Sequence, residues 1–228
     1  MRFLAYFQSY TNTHRSVDSL IGLYEEALNV DDVLGIIIGT RPDCVNEELM
    51  SRLGRLNQRA RIIMEFGAES SHNSTLQRVN RCHTWEDTVN AVLLAKKHGL
   101  DVGLHFIMGL PGESEEMMLQ TVDEVNRLDI DTIKFHQLQI VKGTRLAKEY
   151  VKGEDGATIF SAEDYLKLCC ELVARLRPEI AIERFTSSSP SELLIAPAWG
   201  LKNYQFTNLL NNKLHALSIS QGMKSGKI

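Results

Sequence analysis

Leu100-Asp-Val-Gly-Leu-His-Phe-Ile-Met108 runs directly into Gly109-Leu-Pro-Gly-Glu113 and then into Ser114-Glu-Glu-Met-Met-Leu-Gln-Thr-Val-Asp-Glu-Val-Asn-Arg-Leu128. The first segment is a largely apolar run of strand length, the second a turn-forming loop. The third opens on a capping serine and repeats apolar residues at helical spacing. Together they make one βα unit. Downstream, Asp131 to Ile140 reads as another strand, Ser161 and Asp164 cap a helix that stops before Pro178, and Ala181 to Phe185 is a short last strand. Upstream, Thr84 and Asp87 form a capping box ahead of Val89, Val92 and Leu93, and Gly99 ends that helix. Arg61 to Gly67 is a strand and Glu47 to Leu56 a helix. Val33-Leu-Gly-Ile-Ile-Ile-Gly39 is the near-continuous apolar run of a strand buried on both faces. Phe3 to Gln8 is the first strand, and Val17, Leu20, Ile21, Tyr24 and Leu28 mark the apolar face of the helix after it. Strand and helix alternate throughout, which predicts a parallel sheet with right-handed crossovers. An open doubly wound sheet and a barrel of fewer or more than eight units both fit this alternation. No G-x-G-x-x-G follows any strand, which favours the barrel-like, curved sheet.

Composition agrees with a folded α/β protein. The 228 residues are 43% hydrophobic and 24% charged, with 15 glycines and 5 prolines, which excludes disordered, collagenous and disulfide-scaffold classes. No apolar run reaches the roughly 18–20 residues of a membrane span, and the N-terminus is too polar for a signal peptide, so a soluble, cytoplasmic protein is expected. Cys44, Cys82, Cys169 and Cys170 lack framework or CxxC spacing and are expected to stay reduced. The net charge of −4 is uneven, because Lys202, Lys213, Lys224 and Lys227 follow Glu192 with no further acid. Such a tail is either a solvated helix or a contact for phosphates.

Chemistry in curved parallel sheets sits at the C-terminal strand ends, and the unusual residues of this chain collect there. The ends are Phe7 to His14, Gly39 to Cys44, Glu65 to Ser70, Gly109 to Glu113 and His136 to Thr144. Gly109 to Glu113 lacks the Gly-Lys-Ser/Thr ending of a phosphate loop, so its glycines are read as admitting a flat or bulky ligand, or as a plain strand-to-helix turn. Glu65, taken as a buried strand end, needs a partner: a ribose hydroxyl, a ligand ammonium or a local Arg41. Arg78 and Arg81 are spaced for one helical face, where either would grip a carboxylate. His105 and His136 are a weak metal pair or hydrogen-bonded interior histidines. Cys169 reads as a small core hydrophobe, and Cys44 and Cys82 as rim thiols with a possible reactive role.

Eight motifs taken in order resemble one family. They are Phe7-Gln-Ser-Tyr-Thr-Asn-Thr13, Ile38-Gly-Thr-Arg-Pro-Asp-Cys44, Glu65-Phe-Gly-Ala-Glu-Ser70, Val79-Asn-Arg81 with His83, His105 to Glu113, Ile133-Lys-Phe-His-Gln-Leu138 through Lys142-Gly-Thr144, Arg184-Phe-Thr186 and Ala196-Pro-Ala-Trp199. The family is the YhcC-like group of radical S-adenosylmethionine (SAM) proteins, related to the Elongator catalytic subunit and the oxygen-independent coproporphyrinogen oxidases. The resemblance implies a partial (β/α) barrel core over 1–186 and a C-terminal helical extension over 187–228 packed on it. It implies SAM and a 4Fe-4S cluster that together yield a 5′-deoxyadenosyl radical, with a reductant such as flavodoxin or ferredoxin. By position, Tyr10, Thr11 and Asn12 would grip the methionine amino group. Glu65 and Arg81 would contact the ribose or amino-acid part, and Ile107, Gly109 and the backbone of Gln139 to Val141 would line the adenine.

The chain departs from that pattern at one decisive place. The family holds its cluster on a CxxxCxxC loop after the first barrel strand, and the resemblance aligns Met1 with the start of the second strand. The expectation is therefore a copy that lacks the first βα unit, holds no metal on its own residues, and leaves Leu4 and Tyr6 poorly covered, with marginal stability or association. Three functions stay open: a radical SAM enzyme of which this chain is the SAM-binding portion, a cluster-free SAM-binding remnant or scaffold, or an unrelated barrel enzyme using Glu65 and His136 as acid and base. Relatives acting on tRNA wobble uridines, with the basic tail, point to tRNA as substrate. The acidic body argues against tight nonspecific RNA binding, and small-molecule or protein substrates remain open.

Overall fold

The computed structural model describes residues 1–8 and 11–226. Along the chain the elements run β1 (Phe3–Phe7), α1 (Val17–Leu28), β2 (Val33–Thr40), a 3-10 turn (Pro42–Cys44), α2 (Glu47–Leu56), β3 (Arg61–Glu69), α3 (Asn73–Arg78), α4 (Trp85–Lys97) and β4 (Asp101–Met108). They continue as α5 (Glu115–Val125), β5 (Thr132–Gln137), β6 (Ile140–Val141), α6 (Arg145–Lys152), α7 (Ala162–Arg175), β7 (Ala181–Arg184), β8 (Leu194–Ala196) and α8 (Asn203–Ala216). Six strands form one sheet in the order β1-β2-β3-β4-β5-β7, and β6 and β8 form a second, two-stranded sheet. Sheet order follows chain order apart from the skipped β6. A doubly wound sheet reverses its order at a switch point, so the winding is that of a (β/α) barrel, as the absent dinucleotide fingerprint predicts.

The helix signals read from sequence act as expected. Thr84 Oγ1 accepts from Asp87 N while the Asp87 side chain accepts from Thr84 N. Ser114 accepts from Met117 N, Ser161 from Asp164 N and Asn46 from Leu49 N, so each of these helices starts with one backbone donor satisfied. The expected strand from Asp131 to Ile140 divides into β5 and β6. Leu138 N donates to Met108 O, and Ile140–Val141 pairs antiparallel with β8 instead.

The chain forms two compact units: residues 1–68, 83–105 and 128–132, and residues 69–82, 106–127 and 133–228. In the first, β1 runs parallel to β2 with Ala5 opposite Ile36, and β2 runs parallel to β3 with Ile38 opposite Met64. Ile36, Ile38, Leu49, Leu53, Ile62 and Val92 are buried there, each worth about 1.5–3 kcal/mol relative to exposure. β1 is the edge of the sheet, and Phe3, Leu4 and Tyr6 are exposed on it, the last two at 37% and 38%. In the second unit, Phe206 of α8 packs on Tyr165 of α7 and stacks on Trp199, with ring centroids 5.5 and 5.6 Å apart. Tyr165 and Trp199 place their polar ends on the carbonyls of Phe185 and Phe160. Among the described residues, no helix is long and apolar enough to cross a membrane.

Candidate functional site

In the first unit the polar residues at the strand ends are tied to one another. Asn12 Nδ2 donates to the carbonyls of Phe7 and Gly39 at 2.9 and 2.8 Å, and Asn12 O accepts from Tyr24 Oη at 2.7 Å. This asparagine therefore clamps the ends of β1 and β2 together. Thr11 is half-buried, and the nearby Cys44 thiol donates to Asp43 Oδ1 at 3.8 Å. Tyr10 lies outside the described residues. Glu65 stands in the middle of β3 rather than at its end, 1% exposed. Its Oε2 accepts from Tyr6 Oη at 2.5 Å and lies 2.9 Å from His105 Nε2. The buried carboxylate thus has a tyrosine and a histidine where the sequence suggested a ligand or Arg41. Arg41 instead holds Asp43 in a two-pronged ion pair, and that guanidinium keeps the Asp43 carboxyl below the usual carboxylate range.

In the second unit, Arg81 is not on a helical face with Arg78. α3 ends at Arg78, and Asn80 and Cys82 turn into left-handed conformation, at φ +57° and +60°, so Arg81 sits on a bent loop. Its guanidinium reaches Glu69 Oε1 at 3.1 Å, and Glu69 is itself left-handed at φ +64°. Three non-glycine residues in this region cost on the order of 1–3 kcal/mol each, and all three shape one Arg–Glu pair. Glu69 went unread as Arg81's partner. Its signal was its place at the end of β3, in the Gly67-Ala-Glu-Ser70 turn.

Val79, two residues before Arg81, packs with Ile107 against a buried cluster of Leu110, Leu138, Ile140, Ala147 and Ala196. The Arg81 loop and the expected adenine wall therefore share one apolar floor. Gly109 has φ +97°, and a Cβ there would lie 2.3 Å from the carbonyl oxygen of Thr158. Its missing side chain admits the chain itself: Thr158 N donates to Gly109 O at 3.0 Å. Gln139 donates to Ser187 O and accepts from Ser189 Oγ, and Val141 lies in β6 opposite Leu194. Below the loop, Ser70 Oγ donates to Glu113 Oε1 in the interior, and burial pushes the Glu113 carboxyl above the usual carboxylate range.

His105 and His136 each have a partner within their own unit, Glu65 and Arg184 Nε respectively, the latter at 3.1 Å from His136 Nε2. Hydrogen-bonded histidines are what the structure shows. Cys169 and Cys170 are buried in α7, where burial raises both thiols, and partial burial also raises Cys44. None of these three is a ready thiolate. Among the described residues, no three His, Cys, Asp or Glu stand close enough to hold a metal ion. A 4Fe-4S cluster asks for three converging thiolates, and the four cysteines of this chain do not supply them.

Two domain families match the chain. Residues 7–125 match the Radical SAM superfamily and residues 130–216 the Radical SAM C-terminal domain. YtqA of Bacillus subtilis (strain 168) is 37% identical over 221 residues, 97% of this chain and 68% of the relative. YhcC of Escherichia coli (strain K12) is 36% identical over 199 residues, 87% of this chain and 64% of that one. The chain thus spans about two thirds of the length of these relatives. A tRNA uridine(34) acetyltransferase of Methanocaldococcus jannaschii is 29% identical over 152 residues, 61% of this chain and 28% of the enzyme. Among solved structures, the archaeal Methanocaldococcus infernus Elp3 with an N-terminal deletion superposes with a TM-score of 0.76 at 20% identity, over 92% of this chain and 53% of its own. The fold is accordingly the α/β partial barrel of that superfamily, and the chain belongs to the radical SAM superfamily, in its YhcC-like family.

Proposed function

We propose that these residues are the SAM-binding, substrate-facing part of a radical SAM enzyme that modifies the wobble uridine of tRNA. The observation that carries the reading is the Arg81–Glu69 pair, with left-handed residues at Glu69, Asn80 and Cys82, in a loop whose Val79 packs on the same apolar cluster as Ile107. SAM presents a carboxylate, an ammonium and a flat adenine. The donor set fits it: the guanidinium for the carboxylate, Glu69 for the ammonium or a ribose hydroxyl, and the apolar floor with the backbone near Gln139 and Val141 for the base. Gly109 shapes that floor by letting the segment through Thr158 lie against it. Thr11, Asn12 and Glu65 belong to the other unit, where Asn12 ties the ends of β1 and β2 and Glu65 holds Tyr6 and His105 within the sheet. The tRNA part of the reading rests on the similarity to the uridine(34) acetyltransferase and to Elp3.

A second reading, a cluster-free SAM-binding protein, is favoured by the lack of any three-ligand group among the described residues. Nucleoside analysis separates the two. tRNA from cells lacking the gene is digested and compared with wild-type tRNA by mass spectrometry. The enzyme reading expects a changed level of one wobble uridine nucleoside and its precursor; an unchanged set of uridine nucleosides overturns it and leaves the second reading.

A further inference from the structure

We infer that the outer face of α6 is a docking surface for the phosphate backbone of RNA; this rests on the tRNA reading above. The helix carries Arg145, Lys148 and Lys152 at i, i+3 and i+7, which aligns them along one face, and Lys142 stands just ahead of it. The row spans about 10 Å from Arg145 to Lys152 at 1.5 Å per residue. Lys148 and Lys152 are exposed and pair with no carboxylate among the described residues. The helix's one acid, Glu149, is shared: its two oxygens take Arg145 Nε at 2.7 Å and Arg78 at 2.6 Å. One negative charge between two guanidinia leaves the face strongly positive on a chain whose net charge is −4. Thr144 caps the helix by accepting from Ala147 N at 3.1 Å, and Gly153 ends it in left-handed conformation, so the row sits on a well-formed element.

Between the lysines lies a shallow recess of about 390 Å³ floored by Ala147, Val151 and Ile195, with Val151 77% exposed. A protein partner would favour aromatic and arginine anchors, and lysine is depleted at such interface cores. This recess has no aromatic lining and is rimmed by Lys142, Lys148 and Lys152. A row of unpaired lysines on one helix is the footprint of phosphate contacts. The aliphatic floor offers an apolar surface to a base turned out of the strand.

The test uses the full chain, an unmodified tRNA transcript with a fluorescent label, and anisotropy between about 50 and 200 mM salt. Lys148→Ala/Lys152→Ala is compared with wild type and with Lys202→Ala/Lys213→Ala, all checked for equal melting temperature. The α6 variant is expected to bind at least tenfold more weakly, with a salt slope smaller by about 2, one per lysine. The tail variant keeps wild-type affinity. Equal binding by wild type and the α6 variant overturns the inference, as does the absence of binding by wild type. Displacement of the RNA by an Asp/Glu-rich peptide at equal charge also overturns it, and makes the partner an acidic protein. A wobble nucleoside that depends on the gene while α6 substitution leaves binding intact removes this surface but not the tRNA reading. The reverse result removes the tRNA reading and keeps the surface.

Discussion

Glu113 shows how much one side chain can disclose about its surroundings. Its carboxyl is buried, and burial raises its pKa even though Ser70 donates to it and so opposes the rise. A carboxyl with a higher pKa folded than unfolded binds its proton more tightly in the native state. Its contribution is most favourable at low pH and is lost as pH rises from the unfolded value through the folded one. Glu113→Gln removes that titration. Melting temperature measured against pH is therefore expected to fall less steeply above the ordinary carboxylate range in the variant than in wild type. Parallel curves would contradict the assignment. At this scale the sequence was only half legible. That Glu65 needs a partner followed from burying a carboxylate, but Tyr6 and His105 come from strands far apart in sequence, and no local pattern marks them. Arg81 was recognised as a carboxylate grip, whereas its helical placement was wrong because Asn80 and Cys82 leave the helix.

At the scale of elements, the loop after β4 separates two uses of glycine. Gly109 is confined by its left-handed backbone and by the Thr158 carbonyl, while Gly112, at φ +86°, faces open space. Gly112→Ala meets only the left-handed penalty of about 1–2 kcal/mol. Gly109→Ala meets the same penalty and a backbone clash, and is expected to lose clearly more. Urea unfolding of the two variants checks the order, and equal losses would refute it. The long helices and strands were legible because caps, apolar periods and β-branched runs agree with one another. α3 is six residues and β8 three, too short to show a period. α6 went unread in the sequence, and it packs through Ala147 and Leu146 on a cluster that includes Ile140 and Ala196.

For the whole molecule, strand order, helix placement and eight ordered motifs lead to one family, while the cluster ligands of that family do not fit the cysteines of this chain. The chain carries an Arg81–Glu69 pair in a loop whose Val79 packs on the apolar cluster, and the account stands or falls on whether that pair takes SAM. Equilibrium dialysis with radiolabelled SAM, on wild type and on Arg81→Ala of equal melting temperature, measures this without any turnover. The account predicts saturable binding by wild type that weakens at least tenfold in the variant, about 1.4 kcal/mol or more. No saturable binding by wild type, or equal affinity in the variant, would contradict it.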